Sequence, residues 1–216
     1  MIAIVDYGMG NLRSVHKAFE RVGVAAQVTS SPQDVEDARG VVLPGVGAFR
    51  DCMRNLERLE LIRPLRHSLS AGKPFLGICL GLQVLFSESE EFELTQGLGH
   101  FSGRVVRFPA AMPDSDAKTS NSCLKVPHMG WNTVTPKKKA PCLAKLSNES
   151  WFYFVHSYYV QPTDPGLVAT TTRYGIEFCS SVAQGQLFAC QFHPEKSQAR
   201  GLELLRNFGR LAEQNQ

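Results

Sequence analysis

The sequence has no pair of cysteines at the C-x-x-C spacing, although it contains six cysteines. They stand at positions 52, 79, 123, 142, 179 and 190, a scatter that is not typical of zinc sites or dithiol redox centres. Residues 1–6 also lack a basic region followed by a long apolar stretch, so we expect neither export nor membrane insertion. These absences favour a cytoplasmic protein, because in a reducing compartment cysteines are buried apolar side chains or chemically used ones.

The sequence also lacks a large excess of charge of either sign, since 23 Lys and Arg residues and 20 Asp and Glu residues leave a net charge of +3. The basic run Lys137-Lys138-Lys139 lies near Pro136 and Pro141 without interleaved aromatic residues. We interpret it as a solvated loop, because nucleic-acid binders usually carry a basic stripe. The 216 residues, 43% of them hydrophobic, are typical of a single globular domain with a full core, which we expect to span residues 1–216.

Short apolar runs alternate with segments of helical spacing along the chain. Ile2–Val5 is an apolar run, and apolar residues then recur at helical spacing from Leu12 to Val22. Further strands are predicted at residues 24–29, 40–43, 75–79, 151–160, 168–174, 178–182 and 187–192, and helical segments at 52–70, 82–86 and 201–211. Residues 110–125 show no periodicity and predict an exposed loop insertion. The alternation predicts an α/β fold, a mainly parallel central sheet flanked by helices, with additional shorter strands in the C-terminal half.

The segment Gly77-Ile78-Cys79-Leu80-Gly81 has the form G-x-nucleophile-x-G between an apolar strand and a helical run. This pattern is typical of a nucleophile elbow, with cysteine in the place of serine. Flanking glycines permit a sharp, strained turn that exposes the sulfur, and a helix N-terminus favours thiolate over thiol. From this segment alone, a buried core cysteine beside strand-ending glycines is an equally good interpretation.

A possible base for this nucleophile occurs in Gln191-Phe192-His193-Pro194-Glu195-Lys196. His193 follows a strand, and a rigid proline separates it from Glu195, which could orient the imidazole and stabilise its charged form. An ordinary surface His and Glu at a strand end is the alternative. A zinc deaminase also uses H-x-E, but it requires a downstream P-C-x-x-C, which does not follow Glu195. We therefore expect no metal.

Two glycine-rich turns follow other strands. Leu43-Pro44-Gly45-Val46-Gly47 could direct backbone N–H groups at a developing oxyanion, although P-G-x-G is more often just a turn. Asp6-Tyr7-Gly8-Met9-Gly10 is similar to a dinucleotide fingerprint, yet its third glycine would fall at Arg13. A nicotinamide or flavin site is not supported, and no cofactor is expected.

Six segments occur in one order along nearly the whole chain: DYGMGNLRSV, LPGVGAF, GICLGLQVLF, HMGWN, FYFVHSYY and QFHPEKS. Together they resemble the glutaminase subunits of imidazole glycerol phosphate synthases, enzymes of histidine biosynthesis. The elbow and H-P-E are shared by all class I, or triad, glutamine amidotransferases, whereas HMGWN, FYFVHSYY and the lysine after H-P-E point to these subunits. Independent false matches in this order are improbable, so the resemblance joins the separate motifs into one assignment.

The resemblance implies a catalytic triad of Cys79, His193 and Glu195. It places the oxyanion strand at Gly45, Val46 and Gly47, the glutamine contacts at Gly47, Gln83, Glu91, Ser157 and Tyr158, and the partner-facing residues at Asn11, Trp131, Tyr153 and Lys196. Gln83 also stands four positions after Cys79, on the same face of a helix. For Glu91 a solvated surface carboxylate is the alternative, and for Trp131 and Tyr153 core packing. Residues 110–125 are a longer stretch than we expect of the family, so the resemblance assigns no role to His128.

The expected reaction is attack of the Cys79 thiolate on the carboxamide of L-glutamine, protonation of the leaving amine by His193 so that it departs as ammonia, and hydrolysis of the thioester to L-glutamate. By resemblance, a separate (β/α)₈-barrel cyclase subunit would form a heterodimer with this chain and use the ammonia to make imidazole glycerol phosphate and a carboxamide ribonucleotide. The alternatives are a glutaminase that feeds another synthase, such as that of pyridoxal phosphate, and a non-catalytic scaffold. HMGWN and FYFVHSYY argue against the first, and the intact triad against the second.

We further expect the isolated chain to be slow and the ligand-loaded partner to activate it. The two glycines of Pro44-Gly45-Val46-Gly47 would let N–H groups point away from the oxyanion until partner contacts reorient them.

Overall fold

The computed structural model describes residues 1–113, 123–147 and 150–214. The strands are β1 Ile2–Val5, β2 Ala26–Thr29, β3 Gly40–Gly45, β4 Phe75–Cys79, β5 Phe86–Ser89, β6 Thr95–Gln96, β7 Phe101–Arg107, β8 Met112–Pro113, β9 Cys123–Leu124, β10 His128–Pro136, β11 Ser150–His156, β12 Tyr158–Pro162, β13 Val168–Tyr174, β14 Ile176–Gln184 and β15 Leu187–Cys190. The helices are α1 Leu12–Arg21, α2 Pro32–Asp37, α3 Phe49–Arg58, α4 Ile62–Ser70, α5 Leu80–Gln83 and α6 Gln198–Gln214.

Five parallel strands form the centre of the fold, in the order β2-β1-β3-β4-β15. The strands β1, β3, β4 and β15 are buried along their whole length, which is why they read as continuous apolar runs rather than alternating ones. Successive residues of β1 belong to two different cores, Ile2 and Ile4 to one and Ala3 and Val5 to the other. The sheet therefore has a packed layer on each face, as predicted for an α/β fold.

Antiparallel strands continue the sheet beyond β15, in the order β14-β12-β7. β13 branches from β14, and β10 and then β11 follow β13. The prediction that strands in this half are shorter is wrong: β10 and β14 have nine residues each, and β1 has four. The antiparallel pairs β10–β11 and β13–β14 extend along most of their strands, whereas each parallel strand ends where its crossover begins.

Two predicted boundaries and the interpretation of the basic run need correction. The helix predicted at residues 82–86 ends at Gln83, and Phe86 begins β5, because an apolar run of this length cannot distinguish a buried helix from a buried strand. The strand predicted at 151–160 is interrupted at Ser157, between β11 and β12. Lys137 pairs with Glu177 at 3.0 Å, and Lys138 donates to two backbone carbonyls, so the basic run anchors strands and is not merely solvated.

The predicted loop insertion at residues 110–125 is structured at both ends. Met112–Pro113 pairs with Cys123–Leu124 as a separate two-stranded sheet, and Met112 is buried. Residues 114–122 lie outside the described residues. Of the helices in the described part of the chain, none is both long and apolar enough to cross a membrane.

Candidate active site

The predicted nucleophile elbow forms where β4 meets α5. Cys79 ends β4 with φ +55° and ψ −106°, a backbone conformation that is rare for a residue other than glycine. A Cβ atom on Gly81 would lie 1.8 Å from the Leu43 carbonyl oxygen, and one on Gly77 would lie 2.8 Å from the Gly81 oxygen. Both flanking positions thus require glycine, and Cys79 is held in a strained turn at the carboxyl end of β4. The helix that follows is only one turn long, so its dipole adds little at the sulfur.

His193 reaches the elbow because β15 lies beside β4 in parallel, with Cys190 opposite Ile78. The backbone N–H of His193 donates to the Tyr153 carbonyl at 2.9 Å, and Ser197 Oγ donates to the His193 carbonyl at 2.6 Å. Pro194–Lys196 then forms a single 3₁₀ turn that returns Glu195 to the imidazole. The Glu195 Oε1 to His193 Nδ1 distance is 2.8 Å, and both side chains are 2% exposed.

The charge state of His193 follows from its neighbours. Burial disfavours the imidazolium, but the Cys79 thiolate and the Glu195 carboxylate outweigh this and raise the pKa of His193 to about 10. Because Glu195 occupies Nδ1, Nε2 is the nitrogen left for proton transfer; among the described residues it has no partner with hydrogen-bond geometry. The cluster can therefore hold a thiolate beside an imidazolium, which is the activated state of a cysteine nucleophile.

Gln191 is a member of this cluster that sequence reasoning missed. Its side chain is fully buried, and Nε2 donates to Cys79 Sγ at 3.5 Å. The signal available in the sequence is the period of an extended chain, which places positions 191 and 193 on the same side. Gln191 thus adds a hydrogen-bond donor to the thiolate from the direction of β15.

A cavity of about 440 Å³ opens in front of Cys79. The structure places all five predicted glutamine contacts on its wall, at Gly47, Gln83, Glu91, Ser157 and Tyr158. The remaining lining comes from Val46, Leu80, Pro127, Val155 and His156. A concave site with a few convergent polar groups beside a nucleophile is the form expected of a small-molecule site.

Hydrogen bonds within the protein determine which atoms of Gln83 and Glu91 remain available to a ligand. Both hydrogens of the Gln83 amide are used within the protein, one on the Tyr158 carbonyl and one on Gln191 Oε1, each at 3.1 Å. Gln83 therefore offers a ligand its carbonyl oxygen, an acceptor. Glu91 Oε2 accepts from the Phe49 backbone N–H at 2.7 Å, and so caps α3, whose preceding residue gives no side-chain cap. A capping carboxylate at the cavity wall contradicts the alternative of a solvated surface glutamate.

The predicted oxyanion strand lies directly beside the elbow, since Gly45 pairs with Cys79 in the register of β3 and β4. A Cβ atom on Gly45 would lie 2.3 Å from the Tyr7 hydroxyl, so this position requires glycine. Val46 is 40% exposed at the cavity edge, and Gly47 has φ +94°. Two residues of this strand, Gly45 and Gly47, are thus glycine for separate physical reasons: space at the first and backbone conformation at the second.

Three of the four predicted partner residues lie together. Trp131 and Tyr153 are cross-strand neighbours with ring centroids 6.2 Å apart, and Lys196 Nζ lies 5.7 Å from the Tyr153 ring centroid. Trp131 is 43% exposed, which contradicts the alternative that it packs in the core. Asn11 accepts from the Ser14 N–H at 3.3 Å and caps α1; within the described residues no hydrogen bond, ion pair or ring contact joins it to the other three.

Comparison with known proteins gives concordant results. The family model of class-I glutamine amidotransferases matches residues 3–211. The chain is 51% identical to the imidazole glycerol phosphate synthase subunit HisH of Geobacter sulfurreducens over 97% of this chain and 98% of that protein. It is 54% identical to the HisH subunit of Syntrophotalea carbinolica over 97% and 99%.

Solved structures show the same fold at low sequence identity. A crystal structure of a glutamine amidotransferase has a TM-score of 0.72 at 19% identity, covering 99% of this chain and 100% of its own. A chain in the structure of PurLQS from Thermotoga maritima has a TM-score of 0.71 at 16% identity, covering 99% of this chain and 97% of that one. The match to the family model and the identity to the HisH subunits place the chain in the class-I glutamine amidotransferase family, among the HisH subunits of imidazole glycerol phosphate synthase.

Proposed function

We propose that this chain hydrolyses L-glutamine to L-glutamate and ammonia, and delivers the ammonia to a cyclase subunit of imidazole glycerol phosphate synthase in histidine biosynthesis. The observation that carries the proposal is the cluster of Cys79, Gln191, His193 and Glu195, in which Cys79 lines the 440 Å³ cavity. The free state of all six cysteines supports a cytoplasmic location. One sheet runs from β2 to β6, which supports a single domain over residues 1–216.

The reaction begins with addition of the Cys79 thiolate to the side-chain carbonyl carbon of glutamine. The carbonyl π electrons move to oxygen, and the N–H groups of the strand Gly45-Val46-Gly47 stabilise that oxyanion. Nε2 of the His193 imidazolium then donates its proton to the amide nitrogen, the C–N bond breaks, and ammonia leaves. A γ-glutamyl thioester on Cys79 remains.

Hydrolysis reverses the proton movements. His193, now neutral, accepts a proton from water as the water oxygen adds to the thioester carbonyl. Collapse of this second oxyanion breaks the C–S bond, releases glutamate and restores the thiolate beside the imidazolium. Glu195 remains ionised throughout, because its role is to hold Nδ1–H and stabilise the imidazolium.

The partner is supported by an exposed apolar surface beside the cavity. Met129, Trp131 and Trp151 are 62%, 43% and 56% exposed, and the β10–β11 register places them on one face of the hairpin. Val155, which pairs with Met129, also lines the active-site cavity. Apolar surface of this kind marks a protein interaction site, and its position would let ammonia pass to a (β/α)₈-barrel partner without crossing bulk water.

The second part of the proposal is activation by that partner. Gly47 has a positive φ, and Val46 is exposed at the junction between the cavity and solvent, so a bound partner can contact the oxyanion strand. Losing one oxyanion donor costs roughly a hundredfold or more in turnover, so reorientation of one peptide is an adequate switch. A ligand-loaded partner needs to prefer the active arrangement by only a few kcal/mol, on the order of 3–5.

Glutamate release tests both parts when it is timed for the chain alone, with empty partner, and with ligand-loaded partner. We expect the loaded complex to be fastest, and Cys79→Ala to abolish glutamine use while the complex still accepts ammonium salt at alkaline pH. Retained glutamine use by that variant would refute the mechanism. A scaffold would neither release glutamate nor react at Cys79 with a glutamine-analogue electrophile. Equal rates for the chain alone and the loaded complex would refute the activation.

A further inference from the structure

Two buried histidines of the active-site half take no part in the mechanism above. His128 on β10 and His156 on β11 are cross-strand neighbours, and His128 Nδ1 lies 3.0 Å from His156 Nε2. His128 is stacked between Phe154 and Tyr174 at centroid distances of 4.7 and 4.0 Å. Burial lowers the pKa of His128 to about 4 and, more strongly, that of His156 to about 3. Both rings are therefore neutral at physiological pH, and each has one donor and one acceptor nitrogen.

The tautomer of each ring follows from one end of a hydrogen-bond chain. His156 Nδ1 lies 2.8 Å from the Tyr158 carbonyl oxygen, which can only accept, so Nδ1 carries the hydrogen. His156 Nε2 is then an acceptor, and His128 Nδ1 must be the donor to it. By the same rule His128 Nε2 is left as an acceptor.

The other end of the chain gives the same tautomers independently. Asn132 Oδ1 accepts from the Thr133 backbone N–H at 2.8 Å, so its Nδ2 is the group directed at the Arg173 carbonyl, at 3.0 Å. The second hydrogen of Nδ2 points to His128 Nε2 at 3.2 Å, which therefore accepts. The direction of every bond in the pair is thus determined from both sides.

The Tyr158 carbonyl is a shared anchor for the histidine pair and for a second chain of hydrogen bonds that ends at the nucleophile. The Tyr158 carbonyl accepts a second hydrogen bond from Gln83, and Gln83 donates its other hydrogen to Gln191 Oε1. Gln191 Nε2 then donates to Cys79 Sγ. If the Gln191 amide turned by 180°, its carbonyl oxygen would face the thiolate and two donors would face each other at Gln83. The order of donors and acceptors forbids this turn.

We propose that His128 and His156 are positioning residues of the glutaminase reaction: the His156 N–H fixes the place of the Tyr158 carbonyl, which anchors Gln83, and Gln83 in turn holds the Gln191 amide with its donor on the Cys79 sulfur. The proposal rests on Cys79 as the nucleophile of the proposed function. A hydrogen bond to a charged acceptor is stronger than one to a neutral acceptor, so its loss favours the thiol over the thiolate. The thiolate is the nucleophile, so we expect the reactivity of Cys79 to fall by about tenfold or more.

Two substitutions of His156 separate positioning from packing. His156→Asn retains an N–H donor near the place of Nδ1, toward the Tyr158 carbonyl. His156→Gln is closer in size to histidine but places its amide near the position of Nε2. Alkylation by iodoacetamide at pH 7 reports the Cys79 sulfur when it is measured in the peptide that contains Cys79, because Cys123 is also free and is exposed. The whole chain is used, and its thermal midpoint is measured in parallel. We expect His156→Gln to slow alkylation about tenfold, and His156→Asn to remain within about threefold of wild type.

A double-mutant cycle with Gln191→Leu tests whether the effect travels through Gln191. Because both changes remove the same donor, the double variant His156→Gln/Gln191→Leu should be no slower than Gln191→Leu alone. Additive losses, or equal alkylation of His156→Gln and wild type, would overturn the proposal. If the His156 variants do not fold, the same Asn and Gln pair at His128 decides. Alkylation needs no glutamine, so a wild-type chain that is alkylated at Cys79 and still releases no glutamate contradicts the proposed function and not this inference.

Discussion

The buried histidine pair predicts an acid-labile fold. The pKa values of His128 and His156 are lowered to about 4 and about 3 from an ordinary value of 6.5. At pH values between the lowered pKa values and 6.5, the unfolded chain binds more protons than the folded chain. The stabilisation from the neutral rings is therefore complete above pH 6.5 and is lost as the pH falls below it. Between pH 7 and pH 5 the loss is about 2 kcal/mol for each ring, or roughly 4 kcal/mol for the pair.

The surroundings of the pair offer no compensation for this loss. His128 packs against Phe154, Tyr174 and Phe178, and His193, which is cationic beside Glu195, further lowers the pKa of His156. Within the described residues, neither ring forms an ion pair with a carboxylate. A charge on either ring would therefore be buried among aromatic side chains without a counter-ion.

Urea unfolding of the whole chain at pH 7 and pH 5 measures the effect, with the double variant His128→Asn/His156→Asn as control. Other carboxylates and histidines titrate equally in both proteins, so their contributions cancel in the comparison. We expect wild type to lose roughly 2–4 kcal/mol more between the two pH values than the variant. Equal losses in the two proteins would refute the assignment of neutral, buried rings.

Three further substitutions test the elbow, the triad and the partner face. Glu195→Gln should lower kcat by about 10²–10⁴ but less than His193→Ala, because it removes the orienting charge and leaves the base; a reversed order would contradict these roles. Gly81→Ala puts a Cβ 1.8 Å from the Leu43 oxygen. It should lower the free energy of unfolding in urea by roughly 1–3 kcal/mol and also lower the reactivity of Cys79. Unchanged values of both would disprove the need for glycine. Lys196→Ala should weaken activation by the partner more than basal glutamate release, since Lys196 lies on the Tyr153 ring outside the reacting atoms; an unaltered complex would remove it from the interface.

The parallel half of the fold was predictable because its signals are local. β4 and β1 have the bounds that the apolar runs gave, and the glycines of 77–81 marked the elbow. Boundaries failed where an apolar run has no period of its own, as at residues 82–86, which contain the end of α5 and the start of β5. The interruption at Ser157 depends on the pairing of β12 with β7 and β14, and the spacing of apolar residues gives no information about such pairing.

The site residues were predictable where the reaction requires a particular residue type. They were not predictable where a residue's role depends on the position and direction of its side chain in the fold. Cys79, His193 and Glu195 follow from nucleophile, base and orienter. Gln191 does not, because its role depends on where its amide points. His128 could not be interpreted from HMGWN either, since its meaning comes from His156 on the opposite strand.

The position of β15 in the sheet has a consequence for the order of folding. It is the last strand of the described chain, yet it lies in the interior of the sheet between β4 and β14. A nascent chain that ends before residue 187 has Cys79 but neither His193 nor the strand that carries it, so it cannot consume glutamine during synthesis. Until β15 arrives, β4 and β14 have open edges, and a chain delayed at this stage is exposed to pairing with another copy. Insertion of one four-residue strand therefore joins β4 to β14 and completes the active site in the same event.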